Sequence, residues 1–202
     1  MSFRKEYKFR LSKTEFYRFQ NHLQKNGMIE LFEPRRINSV YFDTPQLDMF
    51  FHSEEGLVPR KKIRVRWYDN DVKFHKEIKT SSVEGRHKKS YYLPELNTVE
   101  DLLTNTYFDQ QYGKLYPVVK ISYLRSYFKF QSMRVTFDEK ITYNYLKNEM
   151  KRTFVDPELV SEIKTSIHCS DEFIGKHLPY PSARFSKYSR AILFSQAGLN
   201  EM

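Results

Sequence analysis

The chain has 202 residues, enough to bury a substantial core, and one domain spanning 1–202 is the expected organisation. Lys and Arg number 34 against 25 Asp and Glu, a formal charge of +9, so the partners to consider are anionic: phosphorylated small molecules, nucleic acid or an acidic membrane surface. A single cysteine, Cys169, excludes an internal disulfide and a cysteine-based metal centre, and no apolar run approaches the roughly 20 residues of a membrane helix.

The opening residues, MSFRKEYKFR, are too charged for a signal peptide, and a soluble cytoplasmic protein is expected. Residues 3–11 alternate as a strand does: Arg4, Glu6, Lys8 and Arg10 share one face, and Phe3, Tyr7, Phe9 and Leu11 the other. A helix is predicted from Lys13, capped by Ser12 with Glu15 three residues on, carrying Phe16, Phe19 and Leu23, and stopped by Asn26-Gly27. A strand is predicted over 37–43 and a short helix from Thr44-Pro45. Alternation returns where Lys62, Arg64 and Arg66 oppose Ile63, Val65 and Trp67, and again where Lys73, His75, Glu77 and Lys79 oppose Val72, Phe74 and Ile78.

Residues 80–86, TSSVEGR, read as a hairpin turn into a strand at 86–93, and Thr98 caps another short helix. A strand follows at 117–128. Arg134, Thr136, Asp138 and Lys140 then oppose Val135, Phe137 and Ile141, with Glu139 interrupting the apolar face. Glu162 and Lys164 oppose Ile163, with Val160 among the polar positions; a short helix is predicted near Ser170-Asp171 and a last strand over 184–194. With 17 Phe and 15 Tyr favouring sheet, the fold class is α+β, dominated by antiparallel strands.

A charged strand face ordinarily looks at water. Several strands here each place cations on one face, however, and like charges on neighbouring strands repel unless an anion lies between them. A polyphosphate ligand removes that penalty, because Arg forks onto phosphate oxygens and Lys adds mobile charge. The alternation leaves open whether the sheet is flat or closed. The carboxylates on the same faces, Glu6, Glu77, Asp138 and Glu162, are hard oxygen ligands suited to Mg²⁺ or Mn²⁺; Asp138 and Glu77 are equally suited to be internal partners of Lys and Arg. Cys169, His168 and Ser166 are given no catalytic role.

Arg4-Lys5-Glu6-Tyr7-Lys8 resembles the opening E-x-E-x-K strand of the triphosphate tunnel metalloenzymes, with Arg in place of the first Glu. That variant is similar to the VTC (vacuolar transporter chaperone) polyphosphate polymerase domain. So are Ser39-Val40-Tyr41-Phe42-Asp43-Thr44, Arg64-Val65-Arg66, Glu77-Ile78-Lys79, Tyr123-Leu124-Arg125, Ser161-Glu162-Ile163-Lys164 and Phe185-Ser186-Lys187-Tyr188, in order along the chain. The resemblance implies a closed antiparallel barrel of about eight strands with flanking helices, which moves the terminal phosphate of ATP onto a growing inorganic polyphosphate chain with a divalent metal, Mn²⁺ or Mg²⁺. It assigns phosphate-gripping roles to Lys8, Arg64, Arg66, Lys79, Arg125 and Lys187, with Lys88 and Ser186 as further substrate contacts and Glu162 on the metal. Arg4, Lys62, Lys164 and Arg134 join the substrate set, and Glu6, Asp138 and Glu77 the metal set, from the charged faces. Lys88 is chosen over Lys89 by its alternation with Arg86 and Ser90. Arg125 shares its parity with Val119, Ile121 and Tyr123, so a bulge near Leu124 is expected to re-aim it.

Rival readings are a triphosphatase, a non-catalytic polyphosphate binder, an RNA-binding module and a membrane-surface scaffold. Phe74, Trp67 and Phe137 fall opposite the basic faces, which argues against an RNA-stacking surface, and no stable nucleic-acid complex or transmembrane segment is expected.

Overall fold

The computed structural model describes residues 4–69, 71–146, 153–178 and 180–200; Phe3, and the side chains of Arg4 and Val72, lie outside the described residues. The elements are β1 (Arg4–Leu11), α1 (Lys13–Lys25), β2 (Ile29–Asp43), α2 (Asp48–Glu55), β3 (Arg60–Tyr68), β4 (Asp71–Ser82), β5 (Gly85–Tyr92) and α3 (Val99–Thr104). They continue with β6 (Tyr107–Asp109), β7 (Gly113–Phe130), β8 (Met133–Tyr145), β9 (Thr153–Val155), β10 (Leu159–Ser166), α4 (Asp171–His177) and α5 (Lys187–Asn200).

The chain packs as two compact units. One comprises Met1–Arg35, Tyr123–Ile141 and Asp156–Phe185; the other comprises Arg36–Ser122, Thr142–Val155 and Ser186–Met202. In the first, β1 pairs antiparallel with β10 and β10 with β8. In the second, β2, β3, β4 and β5 pair antiparallel in succession. The strand order is β1-β10-β8-β7-β2-β3-β4-β5, with β6 on β7 and β9 on β8. Among the described residues no pairing joins β1 to β5, so the strand pairing gives mostly antiparallel sheet with a few helices and not the closed barrel expected from the sequence.

Each unit has its own core, and the alternation explains both. In the first, Phe9 and Leu11 of β1, Phe128 and Phe130 of β7, Val135 and Phe137 of β8 and Ile163 of β10 turn to one side. Phe16, Phe19 and Leu23 of α1 cover them, with the Phe16 ring 5.0 Å from that of Phe137. Burying such side chains contributes roughly 1.5–3 kcal/mol each. The helix is set by its predicted capping box: the Ser12 hydroxyl accepts the Glu15 N–H, and the Glu15 carboxylate accepts the Ser12 N–H at 2.8 Å. It ends at Asn26, before Gly27 with φ +91°, a left-handed position glycine occupies without strain. In the second, Val40, Phe42, Ile63, Val65, Trp67 and Phe74 form the apolar side of β2–β4, packed with Leu102 of α3 and Leu115 of β7.

Two local expectations are corrected. The strand predicted over 184–194 is α5: Tyr188, Ala191, Ile192 and Ser195 are buried at helical spacing, and the Ser186 hydroxyl accepts the Ser189 N–H as a helix cap does. The aromatic and β-branched content of FSKYSRAILF hides a period of 3.6. The helix predicted from Thr44-Pro45 starts later, at Asp48, because Asp43 and Thr44 hook its first turn from a distance. Asp43 accepts from the N–H groups of Thr44, Met49 and Phe50 at 2.7, 2.9 and 3.0 Å, and from the Tyr188 hydroxyl at 2.5 Å. One buried carboxyl thus ties β2, α2 and α5 together. Burial raises its pKa, against the opposing pull of those donors.

Asp43→Ala is expected to cost about 2–4 kcal/mol of stability, since it orphans three backbone donors and a tyrosine hydroxyl at once. Tyr188→Phe is expected to cost about 1 kcal/mol. Urea denaturation of the two variants measures both.

Candidate functional site

In the second unit the polar sides of β3, β4 and β5 form a register of rows. Lys62 lies directly across from Lys79, and Lys79 across from Lys88. One step along, Arg64 faces Glu77 and Glu77 faces Ser90; one step further, Arg66 faces His75 and His75 faces Tyr92. On the other flank β2 adds Tyr41 opposite Arg64 and Ser39 opposite Arg66. Three lysines in one row, with no carboxylate among them, are a destabilising arrangement for a bare sheet.

Glu77 is the internal counterion. Its Oε2 accepts from Arg64 Nε at 2.7 Å, its Oε1 accepts from Lys88 Nζ at 2.5 Å, and Arg66 lies 3.9 Å from Oε1. The Arg64, Arg66 and Glu77 side chains are only 12%, 13% and 6% exposed. Burial works to raise the Glu77 pKa but is outweighed by Arg64, Arg66 and Lys88, which hold the carboxyl far below its ordinary range. Arg64 also donates to the Tyr41 hydroxyl at 2.8 Å, and the Tyr41 ring stacks on Tyr188 at 5.0 Å. Lys62 donates to Ser186 Oγ at 2.9 Å, at the start of α5, immediately before Lys187. Lys88, rather than Lys89, is the residue on this face: Lys89 lies across from Ile78, which packs against the core.

In the first unit the corresponding rows are Glu6–Lys164–Arg134, Lys8–Glu162–Thr136 and Arg10–Val160–Asp138 across β1, β10 and β8. Here charges of both signs interleave. Lys164 binds Glu162 at 2.8 Å and Glu6 at 3.7 Å, and Lys8 binds Glu6 at 3.2 Å and donates to the Phe185 carbonyl at 3.2 Å. Burial opposes the Glu162 charge, but Lys164, Arg125 and Lys8 prevail and bring its pKa down to about 2. Arg125 grips Asp138 bidentately, Nε to Oδ1 at 2.6 Å and Nη2 to Oδ2 at 2.7 Å, with its guanidinium 5.2 Å from the Tyr123 ring. Arg125 therefore stays on the side of Tyr123, two residues before it, instead of being turned away from it as the expected bulge would do. Arg134 is exposed, across from Lys164, and Arg4 opens β1 across from Ser166.

The predicted residues thus fall into two sets. Arg64, Arg66, Lys62, Lys79, Lys88, Glu77, Ser186 and Lys187 belong to the second unit, and Lys8, Glu6, Arg125, Asp138, Arg134, Glu162 and Lys164 to the first. Both oxygens of Glu77 and of Asp138 accept hydrogen bonds from cations, the internal role open to them from the sequence. Among the described residues no three His, Cys, Asp or Glu side chains converge as a ready-made metal cage. Tyr41 was missed as part of the site; its parity with Ser39, ahead of Asp43, was the signal available.

Two outcomes test these electrostatics. The folded pKa of Glu162 lies below its ordinary 4.5, so its contribution to stability is present above about pH 4.5 and is lost as pH falls through about 2. Glu162→Gln is expected to flatten that part of the acid limb, read from denaturation midpoints between about pH 6 and 2. Glu77→Gln is expected to destabilise by roughly 3 kcal/mol at pH 7, because it leaves three cations facing one another.

No curated protein matches the sequence. Solved structures of similar fold include a candidate adenylate cyclase from Vibrio parahaemolyticus, with TM-score 0.55 and 14% identity over 95% of this chain and 98% of that one. Another is a candidate adenylate cyclase from Bacillus halodurans, with TM-score 0.56 and 14% identity over 90% and 92%. A third is a candidate adenylyl cyclase from Hippeastrum described as having a dominant triphosphatase activity, with TM-score 0.54 and 14% identity over 92% and 93%. At these identities the likeness is one of fold. The VTC domain pattern matches residues 3–195, nearly the full length, and the chain belongs to the VTC domain family.

Proposed function

We propose that this protein binds a nucleoside triphosphate, ATP in the first instance, through its basic sheet face and transfers the terminal phosphate to the end of a growing inorganic polyphosphate chain, breaking the β–γ anhydride bond and releasing the nucleoside diphosphate. The observation that carries this reading is the in-register row Lys62–Lys79–Lys88 beside Arg64 and Arg66, which gathers five cations on one face of three adjacent strands. Phosphoryl transfer asks a protein for in-line positioning and for charge on the equatorial oxygens, and a preorganised set of cations supplies both. Arg64 and Arg66 are held in place by Glu77, Tyr41 and Ser39 and present guanidinium edges to phosphate oxygens. Lys62, Lys79, Lys88 and Lys187 add mobile charge, and Ser186 a hydroxyl. Lys8, Lys164 and Arg125 take the same part in their unit, with Arg4 and Arg134 at its rim.

A divalent metal would be held by Glu6 and Glu162, two hard carboxylates on adjacent strands that share the Lys164 ammonium. When bound, Mg²⁺ or Mn²⁺ neutralises charge on the phosphates. The nucleophile is a phosphate end, so no side chain forms a covalent bond. No helix among the described residues is long and apolar enough to cross a membrane.

Incubating the purified protein with ATP and Mn²⁺ or Mg²⁺, and measuring long-chain polyphosphate and free phosphate together, tests the reading. Polymer is expected; phosphate alone makes the protein a triphosphatase, and neither leaves a binding role. Arg66→Ala is expected to weaken tripolyphosphate binding at least about tenfold while the protein stays folded, since it removes one bidentate anion contact. Retained affinity would remove Arg66 from the phosphate site.

A further inference from the structure

The basic face of the second unit is not uniform along its strands. Its middle rows carry Lys62, Lys79, Lys88, Arg64 and Glu77, but at one end the row is Arg66–His75–Tyr92. The His75 and Tyr92 rings face each other at 5.5 Å between centroids, tilted by 42°, and Tyr92 is 54% exposed. The neighbouring row on the same face holds Arg64 and Glu77, two residues along, which is roughly 7 Å in an extended strand. A tilted aromatic pair therefore stands in the row of Arg66 and one row from Arg64, on the same side of the sheet.

Building on the phosphate-binding reading above, we infer that His75 and Tyr92 form a nucleobase subsite, on which the base of a nucleoside triphosphate stacks while its phosphates lie along the Arg64 and Lys62–Lys79–Lys88 rows. The arrangement has a direction. A ribose spans the step from base to first phosphate, so the base lies on His75 and Tyr92, the first phosphate reaches Arg66 and Arg64, and the terminal phosphate points toward the lysine row, where Lys62 meets Ser186 at the start of α5. Stacking on an aromatic face tolerates any base, and purines, with the larger π surface, are held more tightly than pyrimidines. Inorganic tripolyphosphate, which has no base, gains nothing from the pair. An ordinary cross-strand aromatic pair would stabilise the β4–β5 hairpin without distinguishing these ligands.

Isothermal titration in EDTA, where neither ligand turns over, compares ATP with inorganic tripolyphosphate on the wild type, His75→Ala, Tyr92→Leu and Tyr92→Phe, with thermal melts of each. Tyr92→Leu and His75→Ala are expected to lower ATP affinity about tenfold. Tripolyphosphate affinity is expected to stay within about twofold, and Tyr92→Phe to retain ATP binding, since the ring stays. Equal losses for both ligands, or no loss for either, overturn the subsite while leaving the phosphate face standing. Failure of the wild type to bind tripolyphosphate overturns the phosphate face, and the subsite with it.

Discussion

Like charges placed on one face of a sheet repel, and the residues around them are arranged to contain that repulsion. The polar sides of both units carry Arg and Lys on neighbouring strands, and in the second unit lysines stand directly opposite one another, where side chains approach most closely. Each unit answers differently. In the first, Glu6, Glu162 and Asp138 interleave with Lys8, Lys164 and Arg125, so the charges largely offset one another. In the second, Arg64, Arg66 and Lys88 converge on Glu77. In the function proposed above, the first face takes a cation shared with phosphate oxygens, and the second takes phosphate itself.

The sheet's polar faces were legible in the sequence because period-two alternation is a local property: Lys62, Arg64 and Arg66 against Ile63, Val65 and Trp67 admit one reading of face. Likewise the capping box at Ser12 and Glu15 sits within four residues and appears where predicted. Pairing is a different matter. That Lys79 stands between Lys62 and Lys88 depends on the registers of two hairpins, and alternation narrows register only to parity. The face that Lys88 shares with Glu77, and Lys89 with Ile78, needed only parity.

The misreadings have physical causes as well. In α5, Tyr188, Ile192 and Phe194 have strand-like propensity, yet tertiary burial at positions 188, 191, 192 and 195 selects the helix. Arg125 appeared to need a bulge because apolar residues on its parity were assigned to the opposite side; Tyr123 instead places its ring beside the guanidinium, where an aromatic face and a cation attract. A hydrophobic residue on a charged face is no contradiction when its π surface is what the charge contacts.

The Asp43 carboxyl, closed off from solvent between α2 and Tyr188, has a genetic consequence. Tyr188 stacks on Tyr41, which holds Arg64, and the helix that begins with Lys187 is the one Tyr188 fastens. Substitutions at Asp43 and Tyr188 remove two ends of one hydrogen bond, so their effects on phosphate affinity should be strongly non-additive, the double variant little worse than the more severe single one. A selection for lost phosphate binding would then recover residues that touch no phosphate, clustered in the protein's interior and epistatic to one another.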